Sequence, residues 1–219
     1  MRSLCLGLLS VCLSVGLLQA EDKTSTVYDP LAKLRTEMVI VLDTTIRDEA
    51  RQRDIPIRVY RCRDVKSAPV VLFSHGLGGS REGSPFLGQH WAARGYVAVF
   101  LQHPGSDTAV WKNRRLGERL AALKTAANAE NFLLRAKDVS AVLDQLQAWN
   151  TQSGHELSET MNLQQVGMSG HSFGAVTTQA VSGQTLPTGR AIGRVDNHAS
   201  QIMAEAKCRK AMKLRAVFS

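Results

Sequence analysis

The apolar positions change rhythm along the chain, and each change predicts an element. Met38-Val39-Ile40-Val41-Leu42 is a β-branched run, and Ile55-Pro56-Ile57-Arg58-Val59-Tyr60 alternates apolar with polar. Together they predict two antiparallel, half-exposed strands, with Pro56 suited to an edge. Residues 48–54 form a charged connection between them. Pro69-Val70-Val71-Leu72-Phe73-Ser74 and Tyr96-Val97-Ala98-Val99-Phe100-Leu101 are continuously apolar instead, as strands covered on both faces are. Pro85 to Arg94 predicts a helix with Phe86, Leu87, His90 and Trp91 on one face, stopped at Gly95.

Leu116 to Trp149 is helical in composition, and Val139, Val142, Leu143, Leu146 and Trp149 recur at three- and four-residue steps, a core stripe. The stripe fades around Asn128, which predicts two helices or one bent one. A strand from Leu163 to His171 and a helix to Ser182 follow. Residues 183–197 are irregular, Ala199 to Met212 is helix-compatible, and Leu214 begins one more strand. Strands alternating with helices after an antiparallel start imply an α/β fold, a mostly parallel sheet with helices on both faces.

The sharpest local signal is Gly170-His171-Ser172-Phe173-Gly174, placed where the last complete strand turns into a helix. A serine on such a turn sits in constrained backbone, and the two flanking glycines let strand and helix approach. Ser172 is the candidate nucleophile. The N–H of Phe173, the residue after it, is one candidate donor to an oxyanion. The other donor must come from the loop after an earlier buried strand. His75-Gly76-Leu77-Gly78-Gly79 occupies that place, and the Leu77 N–H is the candidate.

Length and charge narrow the picture. The 219 residues suffice for one domain, and the net charge is +8. Basic residues gather at Lys112-Asn113-Arg114-Arg115 and from Lys207 to Arg215 without interleaved aromatic platforms. That argues against a nucleic-acid groove and allows at most peripheral contact with anionic lipid. Arg2, the apolar stretch from Leu4 to Leu18 and Leu18-Gln19-Ala20 read as a signal peptide over residues 1–20, hence export to the periplasm or medium. Residues 21–219 would then form the domain. Of the cysteines left, Cys62 and Cys208 are expected to stay unbonded: four strand spacings put them roughly 19 Å apart.

Ser74-His75-Gly76-Leu77-Gly78-Gly79 with Gly170-His171-Ser172-Phe173-Gly174 resembles the α/β-hydrolase superfamily. The likeness is to exported bacterial dienelactone-hydrolase-like proteins and the platelet-activating-factor acetylhydrolases. Gln102-His103-Pro104-Gly105-Ser106-Asp107 and Arg135-Ala136-Lys137-Asp138 extend it, so that it covers about residues 48–182. The resemblance implies an α/β-hydrolase fold and carboxyl-ester hydrolysis through an acyl-enzyme, with neither metal nor organic cofactor. A small ester or acetylated lipid is the implied substrate, because Ser172 stands where dienelactone hydrolases have cysteine. Superfamily order is Ser, then Asp or Glu, then His. The catalytic acid and histidine are therefore expected beyond residue 219, with the last strands of the sheet, so that residues 21–219 form an incomplete hydrolase domain. Asp196 and His198, the late Asp and His that are present, make a poor pair. Poor ester turnover is expected of this chain by itself. The alternative is a truncated or degenerate chain without catalysis.

Overall fold

Strand residues of alternating parity divide the core in two. The computed structural model describes residue 34 and residues 36–183 of the chain. Its sheet has five strands in the order β1-β2-β4-β3-β5: β1 Val39–Asp48, β2 Arg53–Cys62, β3 Ala68–Ser74, β4 Val97–Leu101 and β5 Met161–Gly170. β2 runs antiparallel to β1 and β4, whereas β3 pairs in parallel with both β4 and β5. Four of the five strands thus point the same way, and the sheet is mostly parallel as expected.

On one face, Ile57, Val59, Val70, Leu72, Val97, Val99 and Leu101 pack with Val139, Val142, Leu143 and Leu146 of helix α3, Ala129–Thr151. On the other, Tyr60, Phe73, Ala98 and Phe100 pack with Ala92 of helix α1, Pro85–Ala93. Phe73 and Phe100 lie 4.6 Å apart at their ring centroids. All five residues of β4 are buried, which explains why that strand carries no polar position. Each Val, Leu or Phe side chain buried there contributes about 1.5–3 kcal/mol by leaving water.

The expected break near Asn128 falls between α2, Leu116–Ala126, and α3. Asn128 caps α3, its side-chain oxygen accepting from the Asn131 N–H at 2.8 Å. Helix α4, Phe173–Val181, follows β5 and packs against β3, β5 and α3.

Three expectations are corrected. The charged connection is shorter than 48–54, because the β1–β2 ladder continues to Asp48 and Arg53. Pro56 does not mark an edge: β2 lies inside the sheet, between β1 and β4. It is tolerated because the β2–β4 ladder begins only at Ile57, so no N–H is required of it there. In α1, Phe86 is 67% exposed and His90 is exposed too, while Leu87, Trp91 and Ala92 make the packed face. No described helix is long and apolar enough to cross a membrane. The expected leader, the segment from 184, Asp196, His198, Cys208 and the helix and strand expected after it lie outside the described residues.

Candidate active site

β5 ends at Gly170 and α4 begins at Phe173, so two residues make the turn between them. Ser172 takes up most of the bend, with φ 54° and ψ −116°, a conformation a side-chain-bearing residue holds only where its surroundings fix it. The surroundings are visible in the glycines. A Cβ on Gly170 would lie 2.4 Å from the Gly174 backbone, and one on Gly174 would lie 1.8 Å from the Ser74 carbonyl oxygen. The start of α4 is thus wedged against the end of β3. The His171 N–H donates to that same Ser74 carbonyl at 3.2 Å, and the Gly174 N–H donates to the His171 carbonyl at 2.8 Å. Ser172 and His171 are exposed, so the turn presents the hydroxyl to solvent.

The glycine loop lies beside this turn. A Cβ on Gly76 would meet His171 Nδ1 at 2.9 Å and Ser172 Cβ at 3.4 Å. The Gly78 N–H donates to the Ser106 carbonyl at 2.8 Å and the Gly79 N–H to the Gly76 carbonyl at 3.0 Å. Gly78 turns at φ 73° and accepts from Trp111 Nε1 at 2.7 Å. Among the described residues, the Gly76 and Leu77 N–H groups are left without a backbone acceptor. Phe173 heads α4, where N–H groups have no partner within the helix. His75, Gly76, Leu77, Gly78, Gly79, Gly170, His171, Ser172, Phe173 and Gly174 therefore belong to two adjoining segments at one end of the sheet.

Beneath them is a network that the sequence reading did not foresee. Ser74 Oγ is 2.9 Å from His103 Nε2, and His103 Nδ1 is 3.0 Å from Asp138 Oδ2. Ser, His and Asp in that order look like a catalytic relay, but all three are 0% exposed. Ser74 Oγ also accepts from Arg135 at 2.9 Å, which leaves no approach for a substrate. The relay is scaffold. Burial pushes His103 down to about 4 despite the Asp138 carboxylate beside it, so the ring is neutral and Nδ1–H donates to that carboxylate. The Asp138 carboxyl is also held below its usual range. Burial opposes its charge, but hydrogen bonds from His103 and Arg53 outweigh the penalty. Arg51 and Arg53 reach Asp138 at 2.9 and 2.8 Å.

His75 is buried as well. Its Nε2 accepts from the His103 N–H at 3.0 Å, so its proton sits on Nδ1, which donates to the Gly76 carbonyl at 2.6 Å. Burial, then the neighbouring His103, pushes it down to about 3. The pattern did hold a signal for this network. Arg135 and Asp138 fall in step with Val139 and Val142 on α3, so two charged residues occupy core positions of the stripe. Among the described residues, no histidine is hydrogen-bonded to the Ser172 hydroxyl, and no cluster of side chains suits a metal ion.

No family model and no curated protein matches the sequence. Several solved structures are similar in backbone. The ferulic acid esterase of Streptomyces cinnamoneus is 20% identical with a TM-score of 0.49, over 68% of this chain and 57% of that one. A cold-adapted esterase from an Arctic intertidal metagenomic library is 16% identical with a TM-score of 0.45, over 66% and 56%. The dienelactone hydrolase of Anabaena variabilis is 15% identical with a TM-score of 0.44, over 66% and 57%. The chain spans a little over half the length of these structures.

Proposed function

We propose that the chain is an α/β-hydrolase-type carboxyl-ester hydrolase in which Ser172 attacks the ester carbonyl. The observation that carries this reading is the left-handed φ of 54° at an exposed serine heading α4. That conformation sets an exposed serine at the strand-to-helix turn, beside a glycine loop. The oxygen of Ser172 bonds to the carbonyl carbon as its proton passes to a general base, and the carbonyl oxygen takes the negative charge. The N–H groups of Leu77 and Phe173 are aimed at that oxyanion. Collapse expels the alcohol with a proton, leaving an acyl-serine that water cleaves. The general base and its acid come from outside the described residues, because the histidines within them are buried, engaged elsewhere or not bonded to Ser172.

A small ester or acetylated lipid is the substrate class on this reading, and the leader directs export. Purified full chain and its Ser172→Ala variant, compared on p-nitrophenyl acetate and butyrate, test the proposal. Slow release of p-nitrophenol above background is expected from the first and not from the second. Equal release from both contradicts it.

A further inference from the structure

Among the described residues, Arg135 is a cation in the core with no acid in contact with it. Its side chain is fully buried on α3, and its N–H groups go to four neutral oxygens on three different segments. Nε donates to Thr177 Oγ1 of α4 at 3.0 Å, and Nη1 donates to Ser106 Oγ of the loop after β4 at 2.9 Å. Nη2 donates to Ser74 Oγ at the end of β3 and to the carbonyl of His75. The nearby carboxylate of Asp138 is occupied by Arg51, Arg53 and His103 instead. An arginine whose purpose was to balance charge would face that carboxylate.

We propose that Arg135 is the positioning residue of the oxyanion hole, holding the two backbone segments that supply its N–H donors in register. The inference rests on the reading of Ser172 as nucleophile. Its grip on the first segment is direct. The His75 carbonyl and the Gly76 N–H share one rigid peptide plane, and the Leu77 N–H belongs to the next. Gly76 alone would let that second plane swing, since glycine restrains its own dihedrals least. Fixing the His75 carbonyl removes much of that freedom. The grip on the second segment is double. The guanidinium lies 4.8 Å from the centre of the Phe173 ring, and Thr177, which accepts from Nε, donates its own O–H to the Phe173 carbonyl at 3.0 Å. Phe173 is thereby held from its ring and its carbonyl, leaving its N–H to face outward.

Only the planar fork of arginine reaches all four oxygens at once; a lysine ammonium is a point charge with three donors. Burial lowers the Arg135 pKa to about 10, so the group keeps its charge at neutral pH. That charge sits behind the place where the oxyanion forms.

The test uses the full chain with Arg135→Lys, Ser106→Ala and Thr177→Val. Val142→Ala serves as a control that destabilises α3 without touching the network. Two quantities are read below the onset of unfolding: the rate at which a fluorophosphonate labels Ser172, and kcat and KM on p-nitrophenyl butyrate. Arg135→Lys is expected to slow labelling by about 10²-fold, the size of losing one oxyanion donor, and to lower kcat with KM unchanged. Ser106→Ala and Thr177→Val should each slow it by a smaller factor, and Val142→Ala should label at the wild-type rate. If Arg135→Lys does not fold, the two single-arm variants decide. Folded variants that label as fast as wild type overturn the inference alone, as does an equal slowing in Val142→Ala. Labelling that is absent from wild type, or that survives Ser172→Ala, defeats the nucleophile assignment and this inference with it.

Discussion

The Cα of Gly174 lies so close to the carbonyl of Ser74 that a methyl group on it would stand 1.8 Å from the oxygen and 2.6 Å from the carbon. This is contact between two backbones, the first turn of α4 and the last residue of β3. No side chain can rotate away to make room. The same carbonyl accepts from the His171 N–H, so β3 and the turn around Ser172 are held together from both sides.

Gly174→Ala must therefore push α4 off β3 or straighten the turn. Overpacking of this kind costs about 1–3 kcal/mol, sometimes more. The larger effect is expected in reactivity, because Phe173 moves with the helix and its N–H leaves its place. Fluorophosphonate labelling of Ser172 should slow by at least about 10²-fold, alongside a lowered melting temperature. Unchanged labelling would mean that the close approach has no bearing on the serine.

Asp138 answers three cations or donors at once. Asp138→Ala would leave Arg51, Arg53 and the Nδ1–H of His103 facing one another across a hole. Removing one partner of a buried pair costs about 3–5 kcal/mol. The lower end is expected here, because the Arg51 and Arg53 side chains keep 18% and 15% exposure and Arg51 also holds Asp48. Urea unfolding measures it; a loss under about 1 kcal/mol would show that the network contributes little.

Two buried histidines set a pH dependence. Both His75, at about 3, and His103, at about 4, lie below the unfolded value near 6.5, so the fold favours their neutral forms. Their contribution to stability is complete above about pH 6.5 and is lost as pH falls from there through 4 and then 3. Asp138 acts in the same direction but later, its contribution fading below the ordinary carboxylate range. The melting temperature should be level between about pH 7 and 8 and decline already below about 6.5, before carboxylates titrate. A melting temperature constant down to pH 5 would contradict the burial of both rings.

What the sequence made legible depended on how local each cause was. The all-apolar β4 and the stripe from Val139 to Leu146 are set by burial of neighbouring positions, and they were readable as patterns. The Ser172 turn was readable because Gly170 and Gly174 answer a steric need two residues away. Strand order is another matter. Whether Pro56 sits at an edge depends on where β4 returns, some forty residues later, and no alternation within β2 encodes that. The Asp138 cluster joins residues 85 and 87 positions apart, so its arginines read as surface charge. Arg135 and Asp138 gave a hint by standing in step with the apolar stripe, a place where solvated charges do not belong.

The central claim is that Ser172 is the nucleophile while Ser74, for all its Ser-His-Asp company, is structural. Incubating the full chain with a fluorophosphonate and mapping the adduct by peptide mass spectrometry tests both halves together. The expected result is one adduct, on the peptide containing Ser172, lost in Ser172→Ala. An adduct on Ser74, an adduct that persists in Ser172→Ala, or a folded chain that takes no label would contradict it.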